Sequence, residues 1–144
     1  MKRSILISQI AEDLASFKRV LVASNAKAFA KRMPTPAGIG ILAFVAQEGP
    51  QNLKDIAKRL CMSSSAATQL VDGLVRDRLL TRTEDRTDRR RIKLALTAVG
   101  KRKLAQAKKA RLAALAKLLE PLSPQELNEW RRLQQKIIKQ ASYG

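Results

Sequence analysis

The chain has no histidine and a single cysteine, Cys61. Without imidazole, serine–histidine and cysteine–histidine nucleophile pairs cannot form, and the usual imidazole metal sites are excluded. One cysteine makes neither a disulfide framework nor a four-cysteine zinc site. Aromatic residues are 3% of the sequence, too few for the stacking platforms that hold single-stranded nucleic acid. The longest apolar run, IGILAFVA from Ile39 to Ala46, is far shorter than the roughly 20 residues of a membrane span. The start, MKRSILISQI, resembles a secretory signal for a few residues until Glu12 and Asp13 end the apolar run. These absences lead to the expectation of a soluble, cytoplasmic protein that holds no metal or cofactor and is not an enzyme.

What the chain has in excess is positive charge. Its 144 residues suit one domain, and 29 Lys and Arg stand against 12 Asp and Glu, a net +17. With 45% apolar residues it can still bury a core, so a disordered basic tail is excluded. A surface this positive fits a polyanion. The excess is uneven: Arg76 to Arg111 holds 14 basic and 4 acidic residues, a net +10 in a quarter of the chain.

Hydrophobic spacing gives the organisation. Leu6, Ile10, Leu14, Phe17, Leu21 and Ala28 recur at helical steps between Ile5 and Met33, and Met33-Pro34-Thr35-Pro36 stops that helix. Pro36 suits the first turn of a second helix, which reaches Glu48 before Gly49-Pro50. LKDIAKRL, Leu53 to Leu60, reads as two helical turns. After a break at Cys61-Met62, Ser63, Ser64 or Ser65 can cap a helix reaching about Arg78. In that helix Ala67, Leu70, Val71 and Leu74 face inward and Ser64, Ser65, Thr68, Gln69 and Asp72 outward. Such a pair reads as a helix-turn-helix. Ile92 to Leu96 then alternates as a half-buried strand, pairing with Leu79 to Thr83 in a hairpin with its tip at Glu84 to Arg90. A fifth helix, Thr97 to Glu120, carries Leu104, Leu112, Leu115 and Leu119 on one side. Ser123-Pro124-Gln125-Glu126 is a capping-box start for a last helix striped by Leu127, Trp130, Leu133, Ile137 and Ala141. The expected fold is mainly α with a small β-hairpin wing: a winged helix-turn-helix over 36–97, flanked by dimerisation helices at 1–33 and 98–144.

These residues resemble the MarR/SlyA-type winged-helix transcriptional regulators over essentially the whole chain. The likeness is most specific in LKDIAKRL, in ATQLVDGLVRDRLL (Ala67 to Leu80) and in TEDRTDRRRIKLALTAVG (Thr83 to Gly100), with its Asp-Arg-Arg wing and the Leu-Thr-x-x-Gly that opens the next helix. The resemblance implies a homodimer with interleaved terminal helices that binds palindromic operators on double-stranded DNA, as a repressor or activator. It also implies a candidate small aromatic or anionic effector. Two positions depart from the family. Arg78 stands where a left-handed Gly is usual, so either the turn differs or Arg78 adopts αL at roughly 1 kcal/mol. Gly38-Ile39-Gly40 leaves the second helix's first turn either loose or closely approached.

Candidate DNA contacts fall on two elements. Ser63, Ser64, Ser65, Thr68 and Gln69 lie at the start and on the outward face of the recognition helix, where the helix dipole favours phosphate. A Gln69 amide can pair with the N6/N7 edge of adenine, while capping accounts equally well for a serine. In the wing, Arg86 is the side chain suited to a narrow minor groove, with Arg89 and Arg90 beside it. The family resemblance implies that Asp88 orients Arg90 by ion pairing. Arg82, Arg91 and Lys93 are phosphate candidates from the strands. The alternative for the wing is a solvated loop that only steers association. Cys61 fits either a small buried apolar residue, the common behaviour of free cysteine, or an oxidant-sensing thiol with Lys58 and Arg59 nearby. Leu6, Ile10, Leu14, Phe17, Leu21, Leu127, Trp130, Leu133 and Ile137 form stripes suited to a dimer interface anchored by Trp130, or to an intrachain helix pair. Two rivals stay open: a basic protein that coats nucleic acid without sequence preference, and a winged helix that binds an acidic protein.

Overall fold

The computed structural model describes residues 2–28, 33–84, 86–88 and 91–142, and the side chains of 25–28 lie outside that description. The sequence readings at Ala28, Arg89 and Arg90 therefore fall outside the described residues. Six helices and one hairpin follow in order: α1 (Arg3–Ala28), α2 (Pro36–Glu48), α3 (Leu53–Arg59), α4 (Ser64–Arg76), β1 (Leu80–Glu84), β2 (Ile92–Leu96), α5 (Ala98–Leu118) and α6 (Pro124–Ser142). No described helix is long and apolar enough to cross a membrane. The chain divides into two compact units, Ala26–Arg111 and the pair of segments Met1–Asn25 and Leu112–Gly144.

Among the described residues every buried hydrophobic lies in the first unit, between Ile41 and Ala107. Ile41, Leu42 and Val45 of α2, Ile56 of α3, Val71 and Leu74 of α4, Leu79, Leu80, Leu94 and Leu104 form one cluster. Each helix here begins on a side-chain cap. The Thr35 hydroxyl accepts from Gly38 N–H at 3.2 Å, Asn52 from Asp55 N–H at 2.8 Å, and Ser63 from Ala66 N–H at 3.1 Å. Of the three serines that could cap α4, Ser63 does so. At Gly38 the close approach comes from inside the unit: a Cβ there would lie 3.2 Å from the Pro34 Cβ and 3.5 Å from Leu74.

Both helices of the helix-turn-helix end without glycine. Leu79 N–H donates to Leu74 C=O and Arg78 N–H to Val75 C=O, the paired bonds of a Schellman turn, with Arg78 at φ 61°. Met62 N–H to Ala57 C=O and Cys61 N–H to Lys58 C=O repeat the turn after α3, with Cys61 at φ 51°. Cys61 is consequently exposed rather than a buried apolar residue, because the left-handed position lies beyond the helix end and points its side chain outward.

The hairpin is antiparallel, Leu80 opposite Leu96 and Glu84 opposite Ile92, one residue later in β1 than the sequence pattern places it. Gln51 adds a bridge to Leu94 (3.1 and 2.7 Å), binding the segment before α3 to β2. Alternation in β2 fails at Ile92, which is 56% exposed because the hairpin has by then run past the core.

β1 leaves α4 across a knot of hydrogen bonds with α5. The Thr97 hydroxyl donates between the carbonyls of Arg78 (2.6 Å) and Leu79 (3.1 Å) and accepts from Gly100 N–H at 2.9 Å. Gly100 is buried against this turn, and a Cβ on it would overlap the Leu79 carbonyl oxygen.

The second unit has a different character. Phe17 meets Trp130 edge to face, with centroids 5.7 Å apart. The Ser123–Glu126 capping box forms with bonds of 2.8 and 3.2 Å, and Glu129 accepts two bonds from Arg132, which lower its carboxyl pKa. Yet α6 buries none of its described residues, and Leu6, Ile10, Leu14, Leu133 and Ile137 are 44–69% exposed. Leu112, which the spacing puts on one side of the helix with Leu104, is also exposed.

Gly100→Ala is expected to destabilise the protein by about 2–3 kcal/mol, since backbone must move to admit the methyl. Arg78→Gly should instead stabilise it by roughly 0.5–1 kcal/mol by relieving the left-handed cost. Chemical denaturation of the two variants checks both signs.

Candidate nucleic-acid interface

The recognition helix α4 has two unlike faces. Ala67, Val71 and Leu74 are buried against the core, while Ser64, Ser65, Thr68, Gln69 and Asp72 are exposed, as the sequence pattern implies. α4 packs against α2, α3 and β1, so its polar face is presented by a helix held on three sides. The Ser63 cap satisfies the Ala66 amide. The amides of Ser64 and Ser65, at the first two helical positions, have no carbonyl partner within the helix and carry the positive end of its dipole. Thr68 turns its hydroxyl back to the Ser64 carbonyl at 2.8 Å, which spends its proton inside the helix. Gln69 is exposed with its amide uncommitted to any described hydrogen bond.

The wing follows on the same unit. Thr83 Oγ1 donates to the Lys93 carbonyl at 3.3 Å across the strands, and Lys93 is half-buried. Arg86 is exposed in the connection. Asp88 receives Arg91 N–H on its carbonyl at 2.9 Å and has the Arg91 guanidinium 3.8 Å from its carboxylate. The described partner of Asp88 in the wing is thus Arg91. The pairing with Arg90 implied by resemblance lies outside the described residues.

One contact was not legible beforehand. Arg82, read as a phosphate candidate from β1, reaches across to α4, its Nη2 2.6 Å from Asp72 Oδ1. A carboxylate on the polar face of a recognition helix is the only hint of it in the sequence.

Charge follows the same division. Ala26–Arg111 carries 20 basic and 7 acidic residues, a net +13, while the remaining residues carry 9 and 5, a net +4. The unit that presents the polar helix and hairpin therefore holds most of the field that would attract a polyanion. A cavity of about 500 Å³ also opens in this unit between α2, β2 and α5, with Val45, Leu96 and Leu104 among its walls and Lys101 and Lys108 beside them.

Comparison with known proteins agrees with this architecture. Residues 34–91 match the model of the family described as the MarR family. The chain is 29% identical over 136 residues to the HTH-type transcriptional repressor MdtR of Bacillus subtilis (strain 168), covering 94% of this chain and 88% of that protein. The solved structure of RV1404 from Mycobacterium tuberculosis superposes with a TM-score of 0.80 at 27% identity, covering 99% of this chain and 97% of that one. A MarR family protein from Bacillus stearothermophilus shares the fold at a TM-score of 0.87 and 20% identity, with 99% of each chain covered.

Ser63→Ala should cost about 1 kcal/mol by uncapping α4. Urea denaturation checks this, and Ser64→Ala, which removes no cap, should lie within about 0.5 kcal/mol of the wild type.

Proposed function

We propose that the chain is a winged-helix regulator of transcription of the MarR family, whose model its residues 34–91 match, and that it is a homodimeric repressor that reads a palindromic operator. The observation that carries this reading is the exposed polar face of α4, set in the unit of net +13 beside a basic hairpin. Each α4 enters a major groove while each wing reaches the flanking minor groove, with half-sites about one helical turn apart. Gln69 reads a base edge. Ser63, Ser64, Ser65 and Thr68 meet phosphates or bases at the helix start. Arg86 enters the minor groove with Arg89 and Arg90, and Arg91 and Lys93 engage phosphates, with Asp88 positioning its neighbours.

The dimer is supported by the unit that lacks a buried core. A groove of about 470 Å³ beside Phe17 and Trp130, continued by exposed Leu6, Ile10, Leu14, Leu133 and Ile137, offers apolar surface that a second copy would cover about a two-fold axis. Leu21 and Leu127 of the same unit are half-buried. Release from DNA follows binding of a small amphipathic anion. The cavity flanked by Lys101 and Lys108 has the size and charge for such a ligand.

The deciding experiment is a salt-dependent titration of DNA from upstream of the protein's own gene against a shuffled duplex of equal length. Discrimination of roughly a thousandfold or more supports the regulator. Equal binding to that fragment and to fragments selected from the whole genome favours a coating protein. Gln69→Ala should lose about 1–3 kcal/mol on the operator only, whereas Arg86→Ala should weaken both duplexes and flatten the salt slope by about 0.9 for each subunit. Ile137→Glu, at an exposed position, should shift the sedimenting species from twice the chain mass to the chain mass without unfolding it.

A further inference from the structure

Asp72 lies one turn beyond Thr68 and Gln69 on the exposed face of α4. An isolated carboxylate there would repel phosphates, and among base edges in the major groove it would accept mainly from the cytosine amine. It is not isolated, because Arg82 Nη2 sits 2.6 Å from its Oδ1, a short charge-assisted hydrogen bond. Both backbones are fixed by the core. Asp72 follows buried Val71, and Arg82 stands opposite buried Leu94 in the hairpin register. The two side chains are 50% and 48% exposed, and pairs as solvated as this add little to stability. What the pair does instead is turn a strand guanidinium toward the recognition helix, at the point where helix and hairpin meet.

We infer that Asp72 is a specificity-determining residue, which withholds Arg82 from sequence-independent phosphate contact and fixes the wing root against the recognition helix. Specificity is a difference between affinities, so lowering the affinity for unrelated DNA raises it as surely as an added base contact does. This inference rests on the reading that α4 and the hairpin face DNA.

The test measures binding of the full chain to the operator fragment and to a shuffled duplex over a range of salt. Asp72→Asn is expected to bind the shuffled duplex several-fold more tightly at low salt. Its salt slope should steepen by about 0.9 for each bound subunit, and the ratio of operator to shuffled affinity should fall. Asp77→Asn makes the same change of charge at an exposed position of the same segment, outside the pair, and is expected to keep the wild-type slope. Asp72→Asn/Arg82→Gln removes both charges and should return the shuffled affinity and slope to near the wild-type values. An unchanged slope in Asp72→Asn, an equal effect from Asp77→Asn, or a double variant that keeps the gain would each overturn the role of Asp72. If Asp72→Asn does not fold, Asp72→Glu and the double variant decide. The former must keep the wild-type discrimination by keeping a carboxylate within reach of Arg82, and the latter must keep the wild-type salt slope, since a slope flattened by about 0.9 for each bound subunit would show that Arg82 already contacts phosphate. Failure of the wild type to bind either duplex would instead remove the functional reading itself.

Discussion

The packing of Gly100 against the Leu79 carbonyl, where no Cβ would fit, is the constraint from which the geometry of the surface presented by α4 and the hairpin follows. Three elements converge there. α4 ends in a left-handed turn at Arg78, β1 starts immediately after it, and the first turn of α5 lies on both. Thr97 closes the junction by giving its hydroxyl proton to the carbonyls of Arg78 and Leu79 and receiving the Gly100 amide. The left-handed residue costs roughly 1 kcal/mol. Hydrogen bonds of this kind return about 1 kcal/mol each, so the junction is net favourable although no glycine supplies the turn. The angle at which the hairpin leaves α4 is set at this point. The Leu-Thr-x-x-Gly segment thus has a mechanical reason: Thr bonds the turn, and only Gly lets the helix come near enough.

Legibility in the sequence followed the range of the forces involved. The two faces of α4 were readable because burial repeats every three to four residues, the starts of α4 and α6 because a cap and its amide are three residues apart, and that of α2 because Pro36 fits a first turn. The turns after α3 and α4 were harder. Their usual marker is glycine, and Cys61 and Arg78 adopt the left-handed conformation without it, which is why Cys61 proved exposed. The Gln51–Leu94 bridge has no period to reveal it, being a single pair 43 residues apart. Asp72 and Arg82 meet only because the Arg78 turn and the hairpin register together bring β1 back beside α4. Resemblance to a family supplied the pairing of Asp88 with Arg90, which lies outside the described residues, but nothing in it marked Asp72 as the partner of Arg82.

Hydrophobic burial and charge are divided between the two units in opposite senses. Ala26–Arg111 owns the buried core and most of the positive charge, so it has the means to fold on its own contacts and to attract a polyanion. The terminal helices have stripes of the right spacing, yet Leu14 and Ile137 remain among the most exposed apolar side chains described. Helices gain most of their stability from burying such a face rather than from propensity. In the proposed dimer this unit would gain from association what it does not gain within the chain, and its stability would then depend on protein concentration.

The division also defines the problem that a DNA-binding surface on the first unit would have to solve. A net charge of +13 on one unit makes sequence-independent affinity easy to obtain, because each neutralised phosphate releases counterions whatever the base sequence. On the proposed reading, base recognition would be left to a few groups: Gln69 is the one long amide on the exposed face of α4, and Thr68 has turned its proton inward. Adding another free cation beside α4 would strengthen binding to every duplex and dilute what Gln69 can distinguish. In such a protein an acidic residue that occupies an arginine is more useful at the recognition helix than a further arginine would be, and the Asp72–Arg82 pair lies at that position.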